Sequence, residues 1–143
     1  MPWEHYQNID GARENLNEYL EEYENGRFGA WGIEHRADKK LIGITNISIP
    51  HRINRRVELG YTISRAYWGK GYATEAVQAV IQFGFEKMKL VRIEAVVLPE
   101  HVASARVLEK SGMQFEGVLH SYQIWKNIPC DLRMYAIVNQ REK

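Results

Sequence analysis

The segment YWGKGYATEA, residues 67–76, is the clearest candidate for chemistry in the chain. Gly69 and Gly71 stand one residue apart, immediately before a stretch with helical spacing. Glycine has no Cβ and adopts positive φ readily, so a ligand can approach the backbone here. A helix N-terminus leaves about four N–H groups free and carries about half a positive charge. Lys70 adds positive charge and Thr74 adds a hydroxyl, so the segment predicts a phosphate or pyrophosphate site.

Two better-known phosphate loops do not match this segment. A P-loop requires GxxxxGK followed by Ser or Thr, and that spacing is absent. A dinucleotide-binding fingerprint requires GxGxxG within a βαβ unit, whereas Thr74 here replaces the third glycine and antiparallel strands precede the loop. The alternative without a ligand is that the two glycines only form a tight turn between a strand and a helix.

The loop must lie between a strand and a helix. Short strands with polar turns begin at Phe28, and in the third of them alternation places Glu58 on the face opposite the apolar residues. An amphipathic helix over 10–26 precedes them, and KNIPCD, residues 126–131, is predicted to be a turn that contains Cys130. The other predicted elements are strands 28–36, 41–49 and 57–64, a helix 74–87, a strand 92–98, a helix 103–111, and strands 115–122 and 132–138.

The composition is that of one folded domain with a local ligand site. The chain has 143 residues, 45% hydrophobic and 26% charged, and its formal net charge is +1, so no bulk field favours nucleic acid or membrane. A single cysteine excludes an internal disulfide, and the sequence predicts a cytoplasmic protein. The five histidines show no metal-like spacing, so no metal site is predicted.

The order of these segments resembles a known family. ELGYTISRAYWGKGYATEA, followed by a strand and then by LPEHVASARVLEKSGMQFEGVL, is similar to the GCN5-related N-acetyltransferase (GNAT) superfamily, in its RimJ/RimL-like ribosomal-protein branch. The similarity runs from about Phe28 to Val138. It implies an α+β fold, with a mixed, mostly antiparallel twisted sheet and helices on both faces. It also implies acetyl-CoA as donor and a primary amine as acceptor.

The resemblance assigns the glycine loop to the pyrophosphate of acetyl-CoA. The family loop has the form Q/R-x-x-G-x-G/A, and WGKGYA matches it at Gly71 and Ala73, with Trp68 in place of Gln or Arg. In the family, the strand before the loop splays from the next strand and exposes its backbone to the pantetheine arm. The cofactor-binding residues implied by the resemblance are Ile63, Ser64, Trp68, Gly69, Lys70, Gly71, Tyr72, Ala73, Thr74, His101 and Ser104.

Acetyl transfer to an amine needs a base for the ammonium proton and benefits from an acid for the departing thiolate. Glu58 is the candidate base; the alternative is that it only pairs with Arg55 or Arg56. Much of the superfamily has an acid tyrosine where this chain has Leu108. Ser104 matches a serine that RimL-like enzymes use near the sulfur, and its alternative role is an ordinary helix N-cap.

Two other positions bear on the resemblance. The family has Asn-x-x-Ser where this chain reads HVAS, so His101 replaces an asparagine that contacts the cofactor. A histidine could donate one hydrogen bond there, or it could titrate near neutrality. Asp131 and Tyr135 match a D-x-x-x-Y pattern common in this branch, and a structural role is predicted for Tyr135.

The beginning of the chain departs from the family pattern. Family members open with a strand and a helix that this sequence does not match, which predicts a single domain over residues 1–143 that is short at its N-terminus. Without that strand, the strand at 28–36 would present an unpaired edge, and such an edge invites pairing with another chain. The sequence therefore predicts a homodimer or an unstable monomer.

Three functions remain open at this point. The first is an acetyl-CoA-dependent N-acetyltransferase acting on a protein N-terminus, a polyamine or an antibiotic-like amine. The second is a catalytically impaired acetyl-CoA-binding protein. The third is a small RNA-binding module that uses HRINRR, residues 51–56, although a basic hairpin tip is usually only solvated and no nucleic-acid or membrane partner is expected.

Overall fold

Six strands form one sheet in a computed structural model of the protein, which describes residues 28–51 and 53–140. Their order across the sheet is β1-β2-β3-β4-β6-β5, and every neighbouring pair is antiparallel except β3 and β4. This is the mixed, mostly antiparallel α+β architecture that the sequence predicts. The elements are β1 (Phe28–His35), β2 (Lys40–His51), β3 (Arg56–Ile63), α1 (Tyr72–Glu86), β4 (Arg92–Val97), α2 (Val102–Lys110), β5 (Gln114–Trp125) and β6 (Ile128–Val138).

Both described helices pack on the same face of the sheet. Their buried side chains join those of β2, β3, β4 and β6 in one core, which removes apolar surface from water and fixes the helices on the strands. The helix predicted at 10–26 lies outside the described residues. The core consists of Ile47, Val57, Leu59, Val77, Val80, Ile81, Leu90, Ile93, Ala95, Leu108, Met113 and Tyr135.

The D-x-x-x-Y pattern has a structural role, as predicted for its tyrosine. Tyr135 is 1% exposed, and its ring packs 5.6 Å from that of Phe115. Asp131 accepts the Ser121 N–H at 2.8 Å, where Ser121 has a φ of 49° and the register of β5 against β6 shifts. The aspartate therefore stabilises an irregular stretch of β5, and the tyrosine fills the core.

The predicted turn at KNIPCD is wrong in extent. Only Lys126 and Asn127 form it, with φ of 51° and 65°, as in the two-residue hairpin loops that match strand twist. Pro129 and Cys130 instead continue β6, where they pair with β5. Pro129 is tolerated because β4 pairs only with the later part of β6, so the proline lies outside the central ladder.

No helix among the described residues is long and apolar enough to cross a membrane. The same part of the chain holds no group of three or more His, Cys, Asp or Glu side chains that could bind a metal.

Candidate active site

Gly69 and Gly71 hold an open loop between β3 and α1. They have φ of 73° and 83°, and a Cβ added at either would meet nothing within 4 Å. Gly71 caps α1 without a side-chain acceptor, and the first helical hydrogen bond is donated by the Glu75 N–H. Within the described part of the chain, the N–H groups of residues 72–74 therefore have no hydrogen-bond partner, and they can bind an anion.

The loop lines a cavity of about 430 Å³, here called the loop cavity. Three of the predicted cofactor residues do not line it. They are Ser64, His101 and Lys70, and the Lys70 ammonium lies 5.8 Å from the centre of the Tyr67 ring. The predicted cofactor residues that do line it are Ile63, Trp68, Gly69, Gly71, Tyr72, Ala73, Thr74 and Ser104.

β3 and β4 separate immediately after Glu58. The two parallel strands pair only over Arg56–Glu58 and Arg92–Glu94. Beyond that point a cavity of about 240 Å³, here called the gap, is lined by residues 59–61 of β3, residues 95–98 and His101. The splayed strand pair that the resemblance implies is therefore present, and His101 lies at this gap and not in the loop cavity.

Tyr61 and Ser104 are the two residues that line both the gap and the loop cavity. Ser104 is not the N-cap of α2, because the cap is His101 and Ser104 lies three residues further on. Burial raises the pKa of Tyr61, and an interaction with the Ser104 hydroxyl acts in the opposite direction. A protonated hydroxyl on a wall common to both cavities is a possible proton donor.

The strand backbone beside the gap has a defined set of free groups. The Ser64 N–H already donates to the Ile42 carbonyl of β2 at 2.8 Å. Because alternate residues of a strand point their N–H and C=O to opposite sides, those of Tyr61 and Ile63 face away from β2. The Ile63 carbonyl accepts the Trp68 indole N–H at 2.6 Å. Trp68 thus fastens the start of the loop to the end of β3.

Glu58 lies at the last paired position of β3 and β4, opposite Glu94, and lines neither cavity. Its pKa is raised, first by burial and then by the Glu94 carboxylate. No ion pair joins it to Arg55 or Arg56 among the described residues, so the alternative role considered for Glu58 is not observed. Glu94 itself is paired with Arg92 at 3.1 Å.

Sequence reasoning did not assign the side chains of Tyr61, Arg106 and Lys110, although the resemblance placed the backbone of Tyr61–Ser64 beside the pantetheine arm. Tyr61 alternates with Leu59 and Ile63, so its spacing indicates only a core face. Arg106 and Lys110 also line the cavity, and their positive charges suit phosphate groups. Their i, i+4 spacing on α2 is the available signal, because it places both on one side of a helix. A third cavity, of about 680 Å³ along β1 and α1, shares only Tyr72 with the loop cavity.

Comparisons with known proteins agree with this geometry. The sequence model of the Acetyltransferase (GNAT) domain matches residues 1–114. The chain belongs to the GNAT acetyltransferase family. An uncharacterized N-acetyltransferase, YoaA of Bacillus subtilis, is 37% identical over 139 residues, which cover 97% of this chain and 78% of YoaA. The GNAT chain is thus an acetyltransferase with acetyl-CoA as its donor. The open space at Gly69 and Gly71 and the free N–H groups at the start of α1 fit the pyrophosphate of that donor.

Solved structures show the same fold. Mycobacterium smegmatis RimJ, in complex with CoA-disulfide, superposes with a TM-score of 0.83, at 27% identity, over 99% of this GNAT chain and 67% of RimJ. The ribosomal-protein-S5-alanine acetyltransferase from Vibrio fischeri superposes with a TM-score of 0.82, at 25% identity, over 94% of this chain and 74% of the other. The predicted GNAT-like architecture is confirmed.

Proposed function

We propose that this GNAT chain transfers an acetyl group from acetyl-CoA to a primary amine by direct attack within a ternary complex. The observation that carries the proposal is the wall of Tyr61 and Ser104, which the loop cavity shares with the gap between β3 and β4. Acetyl-CoA supplies the activated acetyl group as a thioester. The loop residues would hold its pyrophosphate, and the Ile63 N–H with the N–H and carbonyl of Tyr61 would hold the pantetheine arm.

Glu58 is proposed as the base that takes a proton from the acceptor ammonium, directly or through one water. Its position where the strands separate supports this role, and so does its raised pKa, because a more basic carboxylate accepts a proton more readily. Arg92 is paired with Glu94 and Glu116, and no ion pair with Glu58 is observed among the described residues. The negative charge of the Glu58 carboxylate attracts the acceptor in its ammonium form.

Ser104 and Tyr61 are proposed to supply the proton for the departing thiolate. Leu108 offers no acid, whereas both hydroxyls line the gap. Burial raises the pKa of Tyr61, so its hydroxyl keeps its proton through neutral pH and can donate it. His101, the N-cap residue of α2, lines the gap and is proposed to orient the donor from that side.

The acceptor is proposed to be a protein N-terminus, a polyamine or an antibiotic-like amine. The superposed Vibrio fischeri protein is named a ribosomal-protein-S5-alanine acetyltransferase, which favours a protein N-terminus. A location in the cytoplasm is supported by the single cysteine. A homodimer is proposed because β1 is an edge strand among the described residues, and light scattering that finds only monomer would remove that part of the proposal.

The test of function is turnover of acetyl-CoA against a panel of peptides with free N-termini, polyamines and aminoglycosides. Glu58→Gln should lower kcat by roughly 100-fold or more, the usual contribution of a general base, while CoA affinity measured by titration stays unchanged. Tyr61→Phe should lower kcat, because a phenyl ring cannot supply a proton to the departing thiolate. CoA binding without turnover of any amine would instead identify a catalytically impaired acetyl-CoA-binding protein.

A further inference from the structure

Four side chains connect the turn between β1 and β2 to both ends of the glycine loop. His35 ends β1, and Asp38 lies in the following turn. Tyr67 ends the short 3-10 helix before the loop, and Tyr72 is the first residue of α1 after it. We call these four residues the turn clamp. Only Tyr72 belongs to the cofactor residues assigned from the sequence.

Hydrogen bonds run through the clamp from one end to the other. The Tyr67 hydroxyl donates to the Asp38 carboxylate at 2.7 Å, and this bond is the main reason why the pKa of Asp38 is lowered. The Asp38 backbone N–H donates to His35 Nδ1 at 3.1 Å. Because Nδ1 accepts this bond, the ring proton is on Nε2, which lies 2.9 Å from the Tyr72 hydroxyl oxygen and donates to it.

Further contacts hold His35 in the clamp. Asp38 Oδ2 lies 3.3 Å from His35 Nδ1. The rings also pack together, with centroids 5.0 Å apart for His35 and Tyr67 and 5.1 Å apart for His35 and Tyr72. The His35 side chain is 17% exposed, so these contacts are partly shielded from water.

The middle of the loop between Tyr67 and Tyr72 has few packing contacts. Gly69 and Gly71 have open space around them, and glycine has the largest backbone freedom to lose on ordering. Order must therefore come from the two ends of the loop. At the N-terminal end of the loop, Trp68 donates to the Ile63 carbonyl and Tyr67 donates to Asp38. At the C-terminal end, Tyr72 is held by His35.

We propose that His35 is a positioning residue for acetyl-CoA. It lines no part of the loop cavity, yet through Tyr72 it fixes the first turn of α1, whose N–H groups face the pyrophosphate site. A loop that is ordered before binding loses less conformational entropy when the ligand binds, so the clamp raises affinity without touching the donor. The inference rests on the proposed loop site and names the residues that preorganise it.

The experiment titrates CoA into the full chain by calorimetry and compares three substitutions at His35. His35→Ala should weaken binding about three- to tenfold, the effect of one lost hydrogen bond. His35→Gln, which places a donor near Nε2, should restore most of the affinity. His35→Asn, which places an acceptor near Nδ1 and cannot reach Tyr72, should bind as weakly as His35→Ala.

His120 provides the matched control. It forms a similar histidine–aspartate contact, 3.2 Å from Asp131, but on the β5–β6 hairpin and away from the loop. His120→Ala should leave CoA affinity unchanged. Thermal unfolding of every variant tests whether it is folded at the titration temperature.

The outcomes separate this inference from the function it rests on. Wild-type protein that does not bind CoA would reject the loop assignment itself. Wild-type binding with equal affinities for the Gln and Asn variants would reject the clamp alone, even where His35→Ala fails to fold. A fall in melting temperature with unchanged CoA affinity would make His35 a purely structural residue and would also reject it.

Discussion

The pKa of Glu58, the proposed base, depends on a neighbouring carboxylate. Glu58 and Glu94 are opposite each other at the end of the parallel β3–β4 pairing. Arg92 forms ion pairs with Glu94 at 3.1 Å and with Glu116 at 2.7 Å, and none with Glu58 is observed among the described residues. Burial and the Glu94 charge then both raise the pKa of Glu58, and a higher pKa brings a carboxylate nearer to the working range of a general base.

Glu94→Gln should shift the acidic limb of the kcat/KM profile to lower pH. A carboxylate acts as a base only when ionised, and the Glu94 charge opposes ionisation of the proposed base Glu58, so removal of that charge lets Glu58 ionise at lower pH. The measurement is kcat/KM against pH for the best amine of the panel. The acceptor amine titrates on the basic side and leaves this limb unaffected.

Exposed Glu109 on α2 supplies the control, because it is distant in sequence from the β3–β4 pair and has no part in the proposed chemistry. Glu109→Gln should leave the acidic limb unmoved. An acidic limb that stays in place in Glu94→Gln, or that persists in Glu58→Gln, would show that another group controls activity at low pH.

At the scale of elements, the spacing of apolar residues predicted the buried face of α1. The helical positions Val77, Val80 and Ile81 are all in the core, and α1 exists with its predicted end within one residue. The helix starts at Tyr72, two residues before the predicted Thr74, because Gly71 caps it with a φ of 83°. The periodicity of apolar residues carries no information about such a cap.

The errors arise where distant partners decide the structure. The predicted break at KNIPCD is not a break, because pairing with β5 extends β6 through Pro129, and Lys126 and Asn127 accept positive φ without a glycine. A role for the Tyr61 side chain was not predicted because alternation places it on a core face, and the departure of β4 from β3 opens a cavity beside it. For Glu58, Ser104 and the loop, the family resemblance supplies that distant information, and their roles stay predictions.

Two glycines in neighbouring elements should respond differently to alanine. At Gly43 in β2, an added Cβ would overlap the Thr62 carbonyl oxygen of β3, so Gly43→Ala should lower the free energy of unfolding by about 3 kcal/mol or more. At Gly71 the Cβ meets open space, so Gly71→Ala should cost only the left-handed backbone strain, about 1–2 kcal/mol. Urea unfolding measures both values.

CoA titration completes this comparison. The Cβ of Gly71→Ala would stand in the open cradle where the pyrophosphate approaches, so CoA affinity should fall about tenfold or more. If Gly71→Ala binds CoA normally, the loop is only a turn between β3 and α1. If Gly43→Ala is as stable as the wild type, the close approach of β2 to β3 is not required by the fold.

At the scale of the whole molecule, the proposed donor site lies at the shortest strand pairing of the sheet. Among the described residues, β3 and β4 join the β1-β2-β3 and β4-β6-β5 halves through three residue pairs, and the helices and the shared core also connect the halves. The loop cavity and the gap take residues from β3, β4, α1 and α2. A ligand in both cavities would contact both halves, so binding should stabilise the sheet as a unit.

CoA at about 100 times its Kd should add about 2.7 kcal/mol to the free energy of unfolding. For a chain near this length, that corresponds to a rise in Tm of roughly 5–10 °C. Calorimetric melting with and without CoA measures the shift. Glu58→Gln should show the full rise, because it changes chemistry and not donor binding, whereas Gly71→Ala should show a smaller one.

Hydrogen exchange distinguishes a bridge between the halves from local binding at the loop. With CoA bound, amide exchange should slow in β3 at residues 59–63 and also in β4 at residues 95–97, because both strands line the gap. Protection limited to the loop and α1 would mean that the donor does not enter the gap. Tyr61 and Ser104 would then lie away from the thioester, and the proposed proton donors would have to be sought elsewhere.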